Sequence, residues 1–140
     1  MSTQSRAAEK FSVALESIQS KRRIERVMEA ANALLDRYAQ QPDHTERLRL
    51  AFELIRRNFT GEIAMVFGDL TLGADSVADP AGGTTFHCAF TVPGGKTGTL
   101  TAHYTAPGSM GLTDSEWLDA MRLLAGIGVL GVGGTVTCPE

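Results

Sequence analysis

Apolar positions fall along this chain in two rhythms, one of turns of three and four residues, one of strict alternation. From roughly Ala7 to Gln40 there is neither proline nor glycine, and Ile24, Met28, Ala31, Leu35 and Tyr38 recur at steps of four, three, four and three. That spacing keeps them on one helical face. Phe11, Leu15 and Ile18 form an earlier stripe, out of phase with the later one by about a residue. The heptad is therefore not continuous, and the pattern predicts a long helix that packs on another element instead of an extended coiled coil. The basic run "KRRIER", Lys21 to Arg26, is offset by Glu25 and Glu29 within helical reach and reads as a solvated face.

Pro42 ends this helix, and "DHTERLRLAFELIRRNF" restarts one. Asp43 is the expected N-cap, with Glu46 at capping-box spacing. Leu48, Ala51, Phe52, Ile55 and Phe59 line one face, and Gly61 is the expected stop. Arg47, Arg49, Arg56 and Arg57 fall mostly off the stripe and are expected in solvent.

The rhythm then changes. "EIAMVFGDLTL" reads as one strand, apolar on both faces and therefore central. "GADSVADPAGG" is rich in turn formers. "TTFHCAFTV" and "TGTLTAHYT" each alternate cleanly around "PGGK", which predicts an antiparallel hairpin. Both apolar faces must lie on one side of the sheet, since a slip of one residue exposes one of them. That sets Val92 opposite Lys96, with a type I turn and glycine bulge between, Cys88 opposite Leu100 and His87 opposite Thr101, with His103 diagonal to His87. After the loop "APGSMG", the stretch "LTDSEW" starts a last helix: Thr113 caps, Glu116 completes a capping box, and Leu112 and Trp117 sit at hydrophobic-staple positions. Helices at both ends of an antiparallel sheet make the class α+β, with residues 1–42 as an N-terminal helix and residues 43–140 as the α+β domain.

Composition narrows the chemistry. With 140 residues, 43% hydrophobic, 21% charged and a net charge of −3, the chain suits a single core and carries no basic excess for nucleic acid. Cys88 and Cys138 are too few for a disulfide framework, so a reducing cytoplasm is expected. The uncharged, apolar stretch Leu123 to Cys138 is short and glycine-rich for a membrane span of about 20 residues, and no membrane partner is expected. Gly126, Gly128 and Gly131 reproduce the spacing of a dinucleotide loop, but they close a helix instead of opening one, where the dipole repels phosphate. The glycines therefore read as a thin helix surface that another helix can approach. Asp69, Asp75 and Asp79 lack the spacing of a calcium loop, and no hydrolase elbow or zinc-protease helix occurs, so no catalytic residue is assigned.

Two surfaces remain. His87 and His103, with Thr99 and Thr101, share the more polar sheet face and are the candidate ligand site. Two imidazoles could hold a metal ion or haem, although a structural zinc site needs four ligands. Ile24, Met28, Ala31 and Leu35, together with Gly126 and Gly128, are the candidate dimer interface.

From Thr45 to Gly131 the chain resembles a GAF domain. "TERLRLAFELIRRNF" precedes the strand "GEIAMVFGD", "TGTLTAHYT" carries a G-x-L-x-A pattern after a glycine turn, and "LTDSEWLDAMRLLAGIGVLG" closes with a threonine-and-acid helix start. The lid region between first strand and hairpin, Asp69 to Gly83, is shorter than is usual in that family. A PAS-like or profilin-like sheet is the rival for the same order of elements. Cys88 points to the apolar face, so chromophore attachment is not carried over. The resemblance implies a non-catalytic sensory or regulatory module of bacterial signalling type, homodimeric through its terminal helices, with a small ligand as an open possibility and no cofactor expected. The alternatives are a metal or haem binder using His87 and His103, and an adaptor that docks a signalling protein on its helical face.

Overall fold

The computed structural model describes residues 2–73, 83–105 and 111–137. Helix α1 spans Ser2–Gln40, α2 His44–Asn58 and α3 Asp114–Leu130; the strands are β1 Ile63–Phe67, β2 Leu70–Gly73, β3 Thr84–Thr91, β4 Thr97–Tyr104 and β5 Thr135–Thr137. The strands form one five-stranded antiparallel sheet in the order β2-β1-β4-β3-β5. The α+β class and the long N-terminal helix are as the sequence predicts. Parts of both polar loops, residues 74–82 and 106–110, together with Asp75, Asp79 and Cys138, lie outside the described residues.

The hairpin register agrees residue for residue: Phe86 faces Ala102, His87 faces Thr101, Cys88 faces Leu100 and Phe90 faces Gly98. Its turn differs from expectation. Gly95 N–H donates to Val92 O at 3.2 Å, and Gly94 has φ +100°, so Pro93-Gly94 occupies the centre of a type II turn. Proline presets the first central φ, and only glycine takes the positive second one without strain.

The expected single strand "EIAMVFGDLTL" is two. The chain reverses at Gly68-Asp69, where Phe67 pairs with Leu70 and Gly68 has φ +57°, the position glycine takes in a type II′ hairpin. A central apolar run with glycine near its middle is also a hairpin with a two-residue loop, and the apolar count alone does not separate the two. Nor are both faces of β1 covered: Ile63, Met65 and Phe67 are buried, but Val66 on the other face is 43% exposed. Strand β5 was not expected. Its three residues follow the turn after α3 and add to the edge of β3.

Helices α2 and α3 cover one sheet face and α1 packs on both of them. The α2 stripe Leu48, Ala51, Phe52, Ile55 and Phe59 is buried as predicted. Asp43 caps α2 through its bond from Glu46 N–H at 2.9 Å, but the helix ends in an ordinary right-handed cap at Phe59, before Gly61. At α3 both halves of the capping box form, and Leu112 and Trp117 are buried beside it. Trp117 stacks on Tyr104 with centroids 5.0 Å apart, and Tyr104 O–H donates to Leu112 O at 2.7 Å.

Helix α1 departs most from its reading. The buried residues are Val27, Ala31, Leu34 and Tyr38, also spaced four, three and four, so two overlapping seams coexist and the core takes the second, against α2 and α3. The C-terminal half of α1 belongs to the common core, while Phe11, Val13, Leu15 and Ile18 are exposed. From Ser2 to Ser20 the helix runs roughly 27 Å at 1.5 Å per residue.

Candidate functional site

The sheet places the histidines as the alternation requires, on the face away from α2 and α3. His87 and Thr101 sit opposite one another, and His87 Nδ1 shares a hydrogen bond of 2.9 Å with Thr101 Oγ1. One pair along, His103 Nδ1 shares one of 3.0 Å with Thr85 Oγ1. The two rings differ in environment. His87 is exposed, whereas His103 is 1% exposed and its Nε2 has no hydrogen-bond partner. A Cβ on Gly83 would stand 2.7 Å from that nitrogen, so the backbone of Gly83 closes over the ring. Thr99 is exposed, beside Val66 and Ala89, on an open part of the same face. No group of three or more His, Cys, Asp or Glu side chains able to hold a metal ion occurs among the described residues.

Between the sheet and its helices the interior is filled. The cavity there, bounded by Leu48, Ile55, Met65, Cys88, Leu100 and Val129 among others, measures about 10 Å³. That is the room of about one water between apolar walls, too little for a cofactor in this cavity. Cys88 is fully buried in this wall, as its place in the alternation predicts, and serves as a small hydrophobe.

The candidate interface residues divide between two sides. Ala31 and Gly128 are buried within the chain: a Cβ on Gly128 would lie 3.1 Å from Ala51 Cβ and 3.5 Å from the Tyr38 hydroxyl. The thin surface of α3 therefore admits α1 and α2 of the same chain. Gly126 has open space around it. Ile24, Met28 and Leu35 are about half exposed, at 53%, 49% and 50%. Ile24 and Met28 adjoin Leu123 of α3; Leu130, two turns further along α3, is 71% exposed. The helices run in the same direction, since Arg23 meets Glu116 at one end and Tyr38 meets Gly128 at the other. A groove of about 260 Å³ between them is lined by Ile24, Val27, Met28, Leu112, Ala120 and Leu123, with Glu116 and Asp119 at its rim.

Two arginines expected in solvent do structural work. Arg47 donates to Gln41 O and, at 2.7 Å, to Gly131 O, and its guanidinium lies 5.6 Å above the Tyr38 ring. It ties the ends of three helices together. Burial pushes the Tyr38 hydroxyl well above its usual range, with the nearby Arg47 charge opposing. Arg23, read as part of a solvated patch, forms a bidentate pair with Glu116. These bonds hold the Glu116 carboxyl below the ordinary carboxylate range. Neither contact has a local signal in the sequence, because the partners lie 84 and 93 residues apart.

Compared with known proteins, the chain matches no family model, no curated protein and no solved structure. No helix among the described residues is long and apolar enough to cross a membrane.

Proposed function

We propose that the chain is a non-catalytic regulatory module of GAF-like kind, working in the cytoplasm, that pairs with a second copy of itself along the face shared by α1 and α3. The observation that carries the reading is unburied apolar surface on that face: Ile24 and Met28 share a groove with Leu123, and Leu35 and Leu130, further along the two helices, are also exposed. Scattered exposed apolar residues need no explanation, but a group of them on adjacent helices marks an interaction surface.

Three features favour a second copy as the occupant. The exposed α1 residues Ile24, Met28 and Leu35 are spaced four and seven, which keeps them on one face as in helices that pair with their like. Their neighbours on α1, Lys21, Glu25 and Asn32, carry both signs of charge and none, so no single-sign field on that helix opposes self-pairing. A matching helix pair also supplies the same groove and the same ridge, as an isologous interface requires. The filled interior supports a regulatory part for the helices over a deep-pocket enzyme or cofactor carrier. In this reading α1, which runs past the body, is the arm that carries the signal.

Sedimentation equilibrium over micromolar concentrations tests it. The wild-type chain should dimerise, and Met28→Glu, which sets two carboxylates in the seam, should be monomeric with an unchanged circular-dichroism spectrum. A wild-type chain that stays monomeric throughout refutes the dimer. Metal analysis and visible absorbance of the purified protein test the sheet-face alternative at His87.

A further inference from the structure

Glu116 holds two elements at once. Its Oε1 accepts from Thr113 N–H and from Arg23 Nε, both at 2.9 Å; its Oε2 accepts from Arg23 Nη2 and from Ser20 Oγ, both at 3.2 Å. One carboxylate thus takes four hydrogen bonds, closing the capping box of α3 and gripping α1. Each side chain of the ion pair keeps 19% of its surface exposed, so the pair is neither a loose surface contact nor a sealed one. Its bidentate geometry is the strong form of an arginine–carboxylate contact.

The location matters as much as the bonding. Among the described residues, no hydrogen bond or ion pair joins α1 to the body on the N-terminal side of Ser20, and buried side chains begin only at Val27. Beyond this point an open groove separates the arm from the start of α3, lined by Val13, Glu16, Ser17 and Lys21 on the arm and by Thr113. The charged and titratable groups around Glu116 are Arg23, Glu16, Lys21 and Glu25 of α1, Asp119 of α3, and Tyr104 of β4, whose hydroxyl feels the charges of Asp114 and Glu116. Glu16 also acts on the Arg23 charge.

We propose that Glu116 is a latch that sets where α1 leaves the body, so that discharging this carboxylate frees the arm up to Arg26 while the core contacts from Val27 onward hold. A neutral acid or amide lacks the charge that draws the guanidinium fork and has fewer acceptor sites for these four donors. The same carboxylate also accepts from Thr113 N–H, so a change that removes its charge acts on the cap of α3 and on the arm together, whereas loss of the Thr113 side chain leaves the bonds to Arg23 in place. The latch gives the proposed regulatory module its moving part and rests on that reading for its purpose, not for its existence.

Hydrogen exchange on the full chain tests it, with Glu116→Gln, Arg23→Gln, the double variant and Thr113→Ala, at two protein concentrations so that protection by a partner is recognised. Both single Gln variants should speed exchange of residues 14–26 by about tenfold or more, the double variant should add little, and residues around Leu48 and Leu124 should be unchanged. Thr113→Ala, which weakens the cap but keeps the ion pair, should loosen the first turn of α3 alone. The latch is overturned if Arg23→Gln leaves the arm unchanged, or if Thr113→Ala loosens the arm as much as Glu116→Gln. Sedimentation of the wild type reports separately on the dimer, which stands or falls whatever the exchange shows.

Discussion

Replacing Gly131 by alanine should damage the protein, although the backbone there suits alanine. Gly131 closes α3 with φ −65°, an ordinary right-handed conformation, so on backbone grounds the change would stabilise by about 0.4–1 kcal/mol. The neighbours decide otherwise. A Cβ would stand 2.2 Å from Tyr38 Cε2 and 2.3 Å from Cδ2, whereas carbon atoms in contact rest about 3.5–4.0 Å apart. Ring or helix must therefore move by more than about 1 Å. The ring is poorly placed to yield: Tyr38 is 5% exposed, its hydroxyl donates to Gly128 O at 3.2 Å, and Arg47 lies over its face while donating to Gly131 O. Overpacking of this kind costs about 1–3 kcal/mol, and each hydrogen bond disturbed adds about 1 kcal/mol. The net loss should be about 1–3 kcal/mol.

Gly126→Ala is the matched control. Nothing lies within 4 Å of its Cβ position and it sits inside α3, so it should gain up to about 1 kcal/mol. Gly128→Ala, with Ala51 Cβ at 3.1 Å, should fall between the two. Urea unfolding followed by circular dichroism measures all three, with an unchanged slope confirming that only stability has moved. If Gly131→Ala proves as stable as Gly126→Ala, the close packing of Tyr38 on the end of α3 is wrong.

Thr113→Ala should cost about 1 kcal/mol in the same assay, since it removes the side chain that accepts from Glu116 N–H. The Glu116 carboxyl is held low by its bonds from Arg23, so its contribution is in place above about pH 4.3 and is lost as pH falls through the lowered folded value. Urea midpoints of wild type and Glu116→Gln should accordingly differ at neutral pH and converge as pH falls through that lowered value. His103→Leu removes both the partnerless Nε2 and the Nδ1 bond to the exposed Thr85 hydroxyl, so its net effect should stay within about 1 kcal/mol; a larger loss would show that the imidazole does more than fill space. His87→Ala, on the exposed side of the sheet, should stay within about 0.5 kcal/mol of wild type.

The sheet-face candidates were legible in the sequence because period-two alternation sets both the side and the register of a strand. His87, Thr101 and His103 stand where that alternation puts them. Their burial was not legible. His103 is enclosed and His87 is not, because the chain passes over one end of the hairpin at Gly83 and leaves the other open. The helical candidates were half legible. The four-three step predicted a seam on α1, but Val27, Ala31, Leu34 and Tyr38 make an equally regular one. Two stripes that share residues cannot be ranked without knowing which side the neighbouring helices occupy.

What the sequence determined by itself is local. Thr113 and Glu116 cap a helix because their side chains reach backbone N–H groups within one turn, and Pro93-Gly94 turns the chain because ring closure and a missing Cβ select the dihedrals. These preferences act over a few residues and need no third partner. Tertiary structure decided everything that depends on two distant segments competing for the same volume or the same charge. It chose which face of α1 enters the core, brought Tyr38 against Gly131, let β5 join the edge of β3, and set Arg23 against Glu116. Burial and ion pairing reward proximity in space whatever the separation along the chain, so such contacts leave no periodic trace in the sequence.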